Sequence, residues 1–436
     1  MKHLKLIVLM CLVALIALTA VACGGAETTT TAATAPGDIV TTAPVTETTP
    51  ATTTPAATTP ATTTPATTEA PITTEAPTKF EELKIGETPI SNYTIVYAKS
   101  PYEAYTKIAT KKDYFPVYDF DHETADRLAD LIYEVSGVRL KVVQDTRATA
   151  TDYEILIGET NRGVNTEAIN ALGNDNYMVN VVGTKLMICG GVHGSTWHAI
   201  DYLEAFFAEK IAQKEVKYSF ASDYTYAGEY HITVIGCIGD SITQGVGASD
   251  QAMLSYPAQL GRILWKDAIV QNFGDSGSTM REDHVDAYTK TSAYLSALKA
   301  AANVDIFTIM LGTNDSDRFK TWTDNDTAKY NEGCLKIMDA IQKKNPDIKF
   351  VLANCPAYFG GGYFGSAQMR QIQSKLLTIV NEAGYPTTFY DTFNDTKGFS
   401  AYFPDSLHPN DMGHLKMAQA FAVYLQTLLT PAQPEA

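Results

Sequence analysis

The chain has 436 residues, 45% of them hydrophobic and 19% charged, and a formal net charge of −16. That length allows two folded units with extra segments, and the apolar share is enough for a real core. The acidic balance argues against a nucleic-acid partner, which would need a basic face, and fits an exported soluble body.

Residues 1–23 read as a targeting segment. Lys2 and Lys5 precede the apolar stretch 6–18, which is too short to span a bilayer. The stretch ends in Ala20-Val21-Ala22-Cys23-Gly24-Gly25. This resembles a bacterial lipoprotein signal, in which small residues precede a cysteine that becomes lipidated. The resemblance implies lipidation of Cys23 and a membrane anchor on the extracytoplasmic face. A plain secretory signal cleaved after Ala22 is the alternative. Residues 26–78 are almost entirely Thr, Ala and Pro with a few Glu, so they have nothing to bury. They are expected to be a disordered tether, reaching on the order of 150 Å if extended.

Residues 80–229 are expected to form a small α+β unit. Strand patterns fall at 93–98, 140–143 and 153–157. A helical face carries Ala125, Leu128, Leu131, Ile132 and Val135, with Gly137 as its stop. Segments 177–182 and 185–189 flank Gly183-Thr184, a hairpin signal. Ser195 is placed to cap a last helix with Ala199, Tyr202, Leu203 and Phe206 inside. His193, Ser195 and His198 form a polar group that reads as a strand-to-helix turn rather than a second site.

Residues 230–430 alternate strand and helix. Strands are expected at 232–238, 268–271, 306–311, 348–353 and 388–390, with helical patterns at 256–264, 293–302, 334–341 and 369–380. A closing helix carries Leu415, Ala418, Ala422, Leu425 and Leu429 on one face. Such alternation predicts an α/β fold, a five-stranded, flavodoxin-like, doubly wound parallel sheet. Ligands of these sheets bind beyond the C-terminal strand ends.

The reactive candidates collect at that edge. Ser241, in Gly239-Asp240-Ser241, follows the first strand, and Gly277 follows the second. Asn314, in Gly312-Thr313-Asn314-Asp315, follows the third. Asp405 and His408, in Asp405-Ser406-Leu407-His408-Pro409, precede the last helix. A serine becomes a nucleophile when a base takes its proton; His408 can serve, oriented by Asp405 three residues earlier. Each motif alone suits an ordinary turn or helix cap. Gly274-Asp275-Ser276 repeats the triplet, which makes Ser276 a rival nucleophile. The run Asp315-Ser316-Asp317, with Asp324-Asn325-Asp326, lacks calcium-loop spacing and reads as a solvated loop and helix start.

Taken together, the four blocks resemble the SGNH (or GDSL) hydrolase family, whose named residues are a serine, a glycine, an asparagine and a histidine. They fall here on Ser241, Gly277, Asn314 and His408, over roughly the last 200 residues. The resemblance implies an ester-cleaving serine hydrolase. Its oxyanion hole would be built from the backbone N–H groups of Ser241 and Gly277 and the amide of Asn314. No metal and no cofactor is expected. The stretch 154–162 with Gly190-Gly191 is similar to accessory domains that precede some glycoside hydrolase barrels.

Tyr358, Phe359, Tyr363 and Phe364 lie on a glycine-rich segment after the fourth strand, where they could stack on a sugar ring or cover an acyl chain. The expected substrate is an acylated polysaccharide or oligosaccharide, with removal of acetyl groups. A lipid esterase or lysophospholipase, and a glycan-binding protein with an inactive hydrolase domain, are the alternatives. Four cysteines outside the signal (Cys189, Cys237, Cys334 and Cys355) show no metal-ligand spacing, and three lie in apolar strand-like runs.

Overall fold

A computed structural model describes residues 78–100, 119–164, 166–318, 321–360 and 366–429. Cys23 and residues 26–77 of the tether lie outside these residues, as do Tyr363 and Phe364. No helix among the described residues is long and apolar enough to cross a membrane.

The first unit is built on a six-stranded mixed sheet. Its strands are β3 (Thr94–Tyr97), β4 (Lys141–Gln144), β5 (Glu154–Ile157), β6 (Asn176–Val182), β7 (Lys185–Gly190) and β9 (Thr225–Glu229), in the order β4-β3-β5-β7-β6-β9. The first four are parallel, and β6 runs antiparallel to β7 and β9. The β6–β7 hairpin turns at Gly183, whose φ of 63° suits glycine. Helix α1 (Phe120–Ser136) stops at Gly137, φ 73°, where the predicted C-terminal signal stands. A short second sheet pairs β1 (Glu82–Ile85) with β2 (Thr88–Pro89) and with β8 (Lys217–Phe220).

Helix α3 (His193–Ala212) begins two residues before Ser195, so Ser195 is not its cap. Ser195 occupies the third helical position and its Oγ accepts the Val192 N–H at 3.1 Å. The short helix α2 (Thr166–Asn170) precedes β6.

The second unit holds β10 (Thr233–Gly239), β11 (Ala268–Gly274), β12 (Ile306–Met310), β13 (Lys349–Ala353) and β14 (Thr387–Tyr390), all parallel, in the order β11-β10-β12-β13-β14. This is the predicted flavodoxin-like order. All five residues of β12 are buried, as expected of a central strand covered on both faces.

One face packs on α7 (Ser292–Ala300), α9 (Asp324–Gln342) and α10 (Ser366–Glu382), through Ala297, Ile337 and Leu376. The other packs on α6 (Tyr256–Ile263) and α12 (Asp411–Leu429), through Leu260, Ala418 and Phe421. Phe421 stacks on Tyr256 at 5.2 Å; burying such a ring stabilises by about 1.5–3 kcal/mol. Cys189, Cys237, Cys334 and Cys355 are buried free thiols.

The first unit abuts the N-terminal ends of β10 and β11. Asp175 accepts the Ile232 N–H at 2.8 Å, Tyr230 Oη donates to Asp267 at 3.1 Å, and Phe120 stacks on Trp265 at 4.7 Å. The seven residues of β10 separate this seam from the C-terminal strand edge by about 20 Å.

Candidate active site

The strand ends place the predicted residues as follows. β10 ends at Gly239, and a tight one-turn helix α4 (Ser241–Gln244) begins at once. Gly239 allows this turn: a Cβ there would lie 2.0 Å from Thr243 Oγ1. Asp240 caps α4, its carboxylate accepting the Ile242 N–H at 3.0 Å. Burial pushes the Asp240 carboxyl up to about 6, against the pull of that N–H, Thr313 and His408.

Ser241 Oγ lies 2.9 Å from His408 Nε2, and His408 Nδ1 lies 2.6 Å from Asp405 Oδ2. A carboxylate facing Nδ1 keeps the proton there and leaves Nε2 free to accept from the serine. The other Asp405 oxygen accepts the N–H groups of Leu407 at 2.9 Å and His408 at 2.6 Å. Burial raises the Asp405 pKa, but the His408 N–H, the imidazole and the Leu407 N–H outweigh it, and the group stays below its ordinary value. Ser406 adopts φ 68°, a left-handed conformation rare for a non-glycine, where the loop folds back so that Asp405 reaches both N–H groups. Its carbonyl accepts the Phe359 N–H at 3.0 Å.

The loop after β11 carries Gly277, and its φ of 85° is freely available to glycine. Asp275 N–H donates to the Gly239 carbonyl at 3.0 Å, tying this loop to the end of β10. Helix α8 (Thr313–Arg318) follows β12 and brings Asn314 to the same place: its Nδ2 donates to Ser278 O at 3.0 Å. An amide nitrogen has a second N–H, so Asn314 is oriented by the loop while keeping one donor for a ligand.

Asp315 departs from the sequence reading. It is fully buried rather than solvated, and it accepts the Met280 and Arg281 N–H groups at 2.8 and 3.1 Å. A short helix buries one side of the acidic run, which a charge count along the sequence does not reveal. Asp324–Asp326 does start helix α9, as expected.

Ser276, the rival nucleophile, is exposed, and no histidine among the described residues bonds to it. Phe359 packs on Phe403 at 5.1 Å, so it lines the loop that carries Asp405. Tyr358 is half-buried beside it.

His193 and His198 both have acidic partners: Asp121, distant in sequence, at 3.0 Å from His193, and Asp201, three residues after His198. His198 also meets Lys266 O at 3.1 Å and stacks on Tyr230, which places it at the seam. Neither bonds to Ser195, whose hydroxyl accepts the Val192 N–H and donates to the Val192 carbonyl.

These geometries coincide with an independent match. Residues 237–416 match the model of the GDSL-like lipase/acylhydrolase family, so the C-terminal region carries a domain of that family. A curated relative, an acetylxylan esterase from Xylanibacter ruminicola, is 44% identical over 82 residues, 19% of this chain and 17% of its own length. The chain thus spans about a sixth of that relative. Among solved structures, a carbohydrate acetylesterase from Sinorhizobium meliloti aligns at 18% identity and TM-score 0.36, covering 45% of this chain and 99% of its own. A family two carbohydrate esterase from Clostridium thermocellum aligns at 20% identity and TM-score 0.36, covering 48% and 69%.

Proposed function

We propose that the protein is a serine esterase that removes acetyl groups from carbohydrate. The observation that carries this reading is the relay from Ser241 through His408 to Asp405, at 2.9 and 2.6 Å. Ser241 Oγ attacks the ester carbonyl carbon and its proton passes to His408 Nε2. The carbonyl π pair moves to oxygen, where the N–H groups of Ser241 and Gly277 and the free N–H of Asn314 stabilise it. The C–O bond to the sugar breaks, and the leaving oxygen takes the proton from His408. Water then repeats the sequence on the acetyl-enzyme, releasing acetate and the free serine.

The carbohydrate reading is supported by the relative named as an acetylxylan esterase. Surface display is the remaining part of the proposal. Cys23 would carry the lipid anchor, and residues 26–78 would hold the enzyme away from the membrane, facing polymer outside the cell.

Acetate release from acetylated xylan, pectin, mannan, chitin fragments and peptidoglycan tests this reading, with p-nitrophenyl esters of increasing chain length beside them. Turnover of at least one acetylated polymer, with acetyl preferred over long chains, is expected. Faster cleavage of long-chain esters would favour a lipid esterase. No hydrolysis of any ester would leave a glycan-binding role.

A further inference from the structure

We infer that Arg318 is a positioning residue of the oxyanion site, an inference that rests on the esterase reading above. Asn314 and Arg318 stand four residues apart on α8 and therefore share a face. Asn314 holds Ser278 O, and Arg318 meets the residue beside it: a Cβ built on Gly277 would lie 3.4 Å from Arg318 Nη2. Gly277 has no side chain of its own with which to fix its backbone.

The guanidinium is held in place from the other direction. Nη1 donates to Asp286 Oδ2 at 2.5 Å and lies 3.5 Å from His284 Nδ1. Asp286 belongs to the same loop, which folds back on itself: Thr279 N–H donates to the Asp286 carbonyl at 3.0 Å, and Tyr288 N–H to the Thr279 carbonyl at 2.9 Å. A planar, rigid fork thus spans both legs of the loop that presents the Gly277 N–H. The Asp286 side chain is 48% exposed, so water screens this ion pair, and the guanidinium acts through the geometry of the loop it braces.

The test is kinetic, on p-nitrophenyl acetate with the whole chain. Arg318→Gln should lower kcat about tenfold with KM nearly unchanged, less than the ~10²–10³ of a direct donor. Asp286→Asn should lower kcat in the same direction and less, and the double variant should be no worse than Arg318→Gln alone. Arg318→Lys keeps charge without the fork and should recover only part of the loss. Affinity for a small alkylboronic acid, which forms a tetrahedral adduct on serine, should fall with kcat/KM, while inhibition by acetate stays put. Unchanged kcat, additive losses, or an effect confined to KM for uronate-bearing sugars would overturn the inference. If Ser241→Ala is inactive and Arg318→Gln is fully active, this inference alone fails; if Ser241→Ala is active, the esterase mechanism fails first.

Discussion

The buried carboxylate of Asp315 accepts the backbone N–H of Met280 at 2.8 Å, and so ties the helix after β12 to the loop after β11. The second oxygen takes the Arg281 N–H at 3.1 Å. Burial pushes this carboxyl up to about 6, against the two N–H groups. The interaction fixes Gly277 and Ser278 relative to Asn314, the neighbour of Asp315 in sequence. Asp315→Asn replaces one acceptor with a donor that faces a backbone N–H. The expected loss is about 1–3 kcal/mol of stability, the cost of leaving a buried amide unsatisfied. It should come with a fall in kcat larger than the change in KM. Urea denaturation and steady-state kinetics check the two halves.

Asp405 presents one oxygen to the His408 ring and the other to two backbone N–H groups, with its side chain 54% exposed. Asp405→Asn should keep the loop but favour the wrong imidazole tautomer, lowering kcat by ~10²–10⁴. The exposure argues for the lower end, since water can take the place of the carboxylate. Because the carboxylate pKa is held down by these bonds, the loss in Asp405→Asn should persist across neutral pH. Measuring kcat from pH 6 to 9 checks this.

His414 is fully buried in α12, where Nδ1 accepts the Tyr256 N–H at 3.2 Å and Nε2–H meets the Val246 carbonyl at 3.3 Å. Burial holds its pKa down to about 4, the Val246 carbonyl pulling weakly the other way. The unfolded chain titrates near 6.5, so it binds the proton first as pH falls. Stability from the neutral imidazole is therefore present above about 6.5 and lost as pH falls through about 4, by about 3 kcal/mol at most. Asp240 and Asp315, both raised to about 6, act in the opposite sense and favour the fold as pH drops from about 6 toward 4. His414→Gln should be less stable at pH 7 and should close the gap to wild type as pH approaches 4. Denaturation midpoints at pH 7, 5.5 and 4 check the slope.

The candidate blocks that hold Ser241, Gly277 and Asn314 were legible because each follows an apolar run. Strands long enough to show one place Ser241, Gly277 and Asn314 at a single sheet edge, and Asp405 and His408 stand three residues apart in one loop. Asp315 was not legible, since an acidic triplet looks the same whether or not a short helix turns one member inward. Arg318 and Asp286 are 32 residues apart and meet only through the fold. The small sheet was also missed. β2 has two residues, and β1 pairs with β8 across more than 130 positions, so neither gives a local signal. The parallel pairing of β3, β4, β5 and β7 is likewise set by long-range register, which hydrophobic alternation does not carry.

If Ser241 is the nucleophile of an esterase, its hydroxyl alone should carry both acyl transfer and covalent labelling. Acetate release from acetylated carbohydrate should be compared for wild type and Ser241→Ala, with both proteins also treated with a fluorophosphonate and the labelled peptide mapped by mass spectrometry. Wild type should release acetate and Ser241→Ala should not, with an unchanged melting curve, and the label should sit on Ser241 alone and be absent from the variant, as the assignment of Ser241 requires. Acetate release by Ser241→Ala at the wild-type rate, or label carried instead on Ser276, would contradict it.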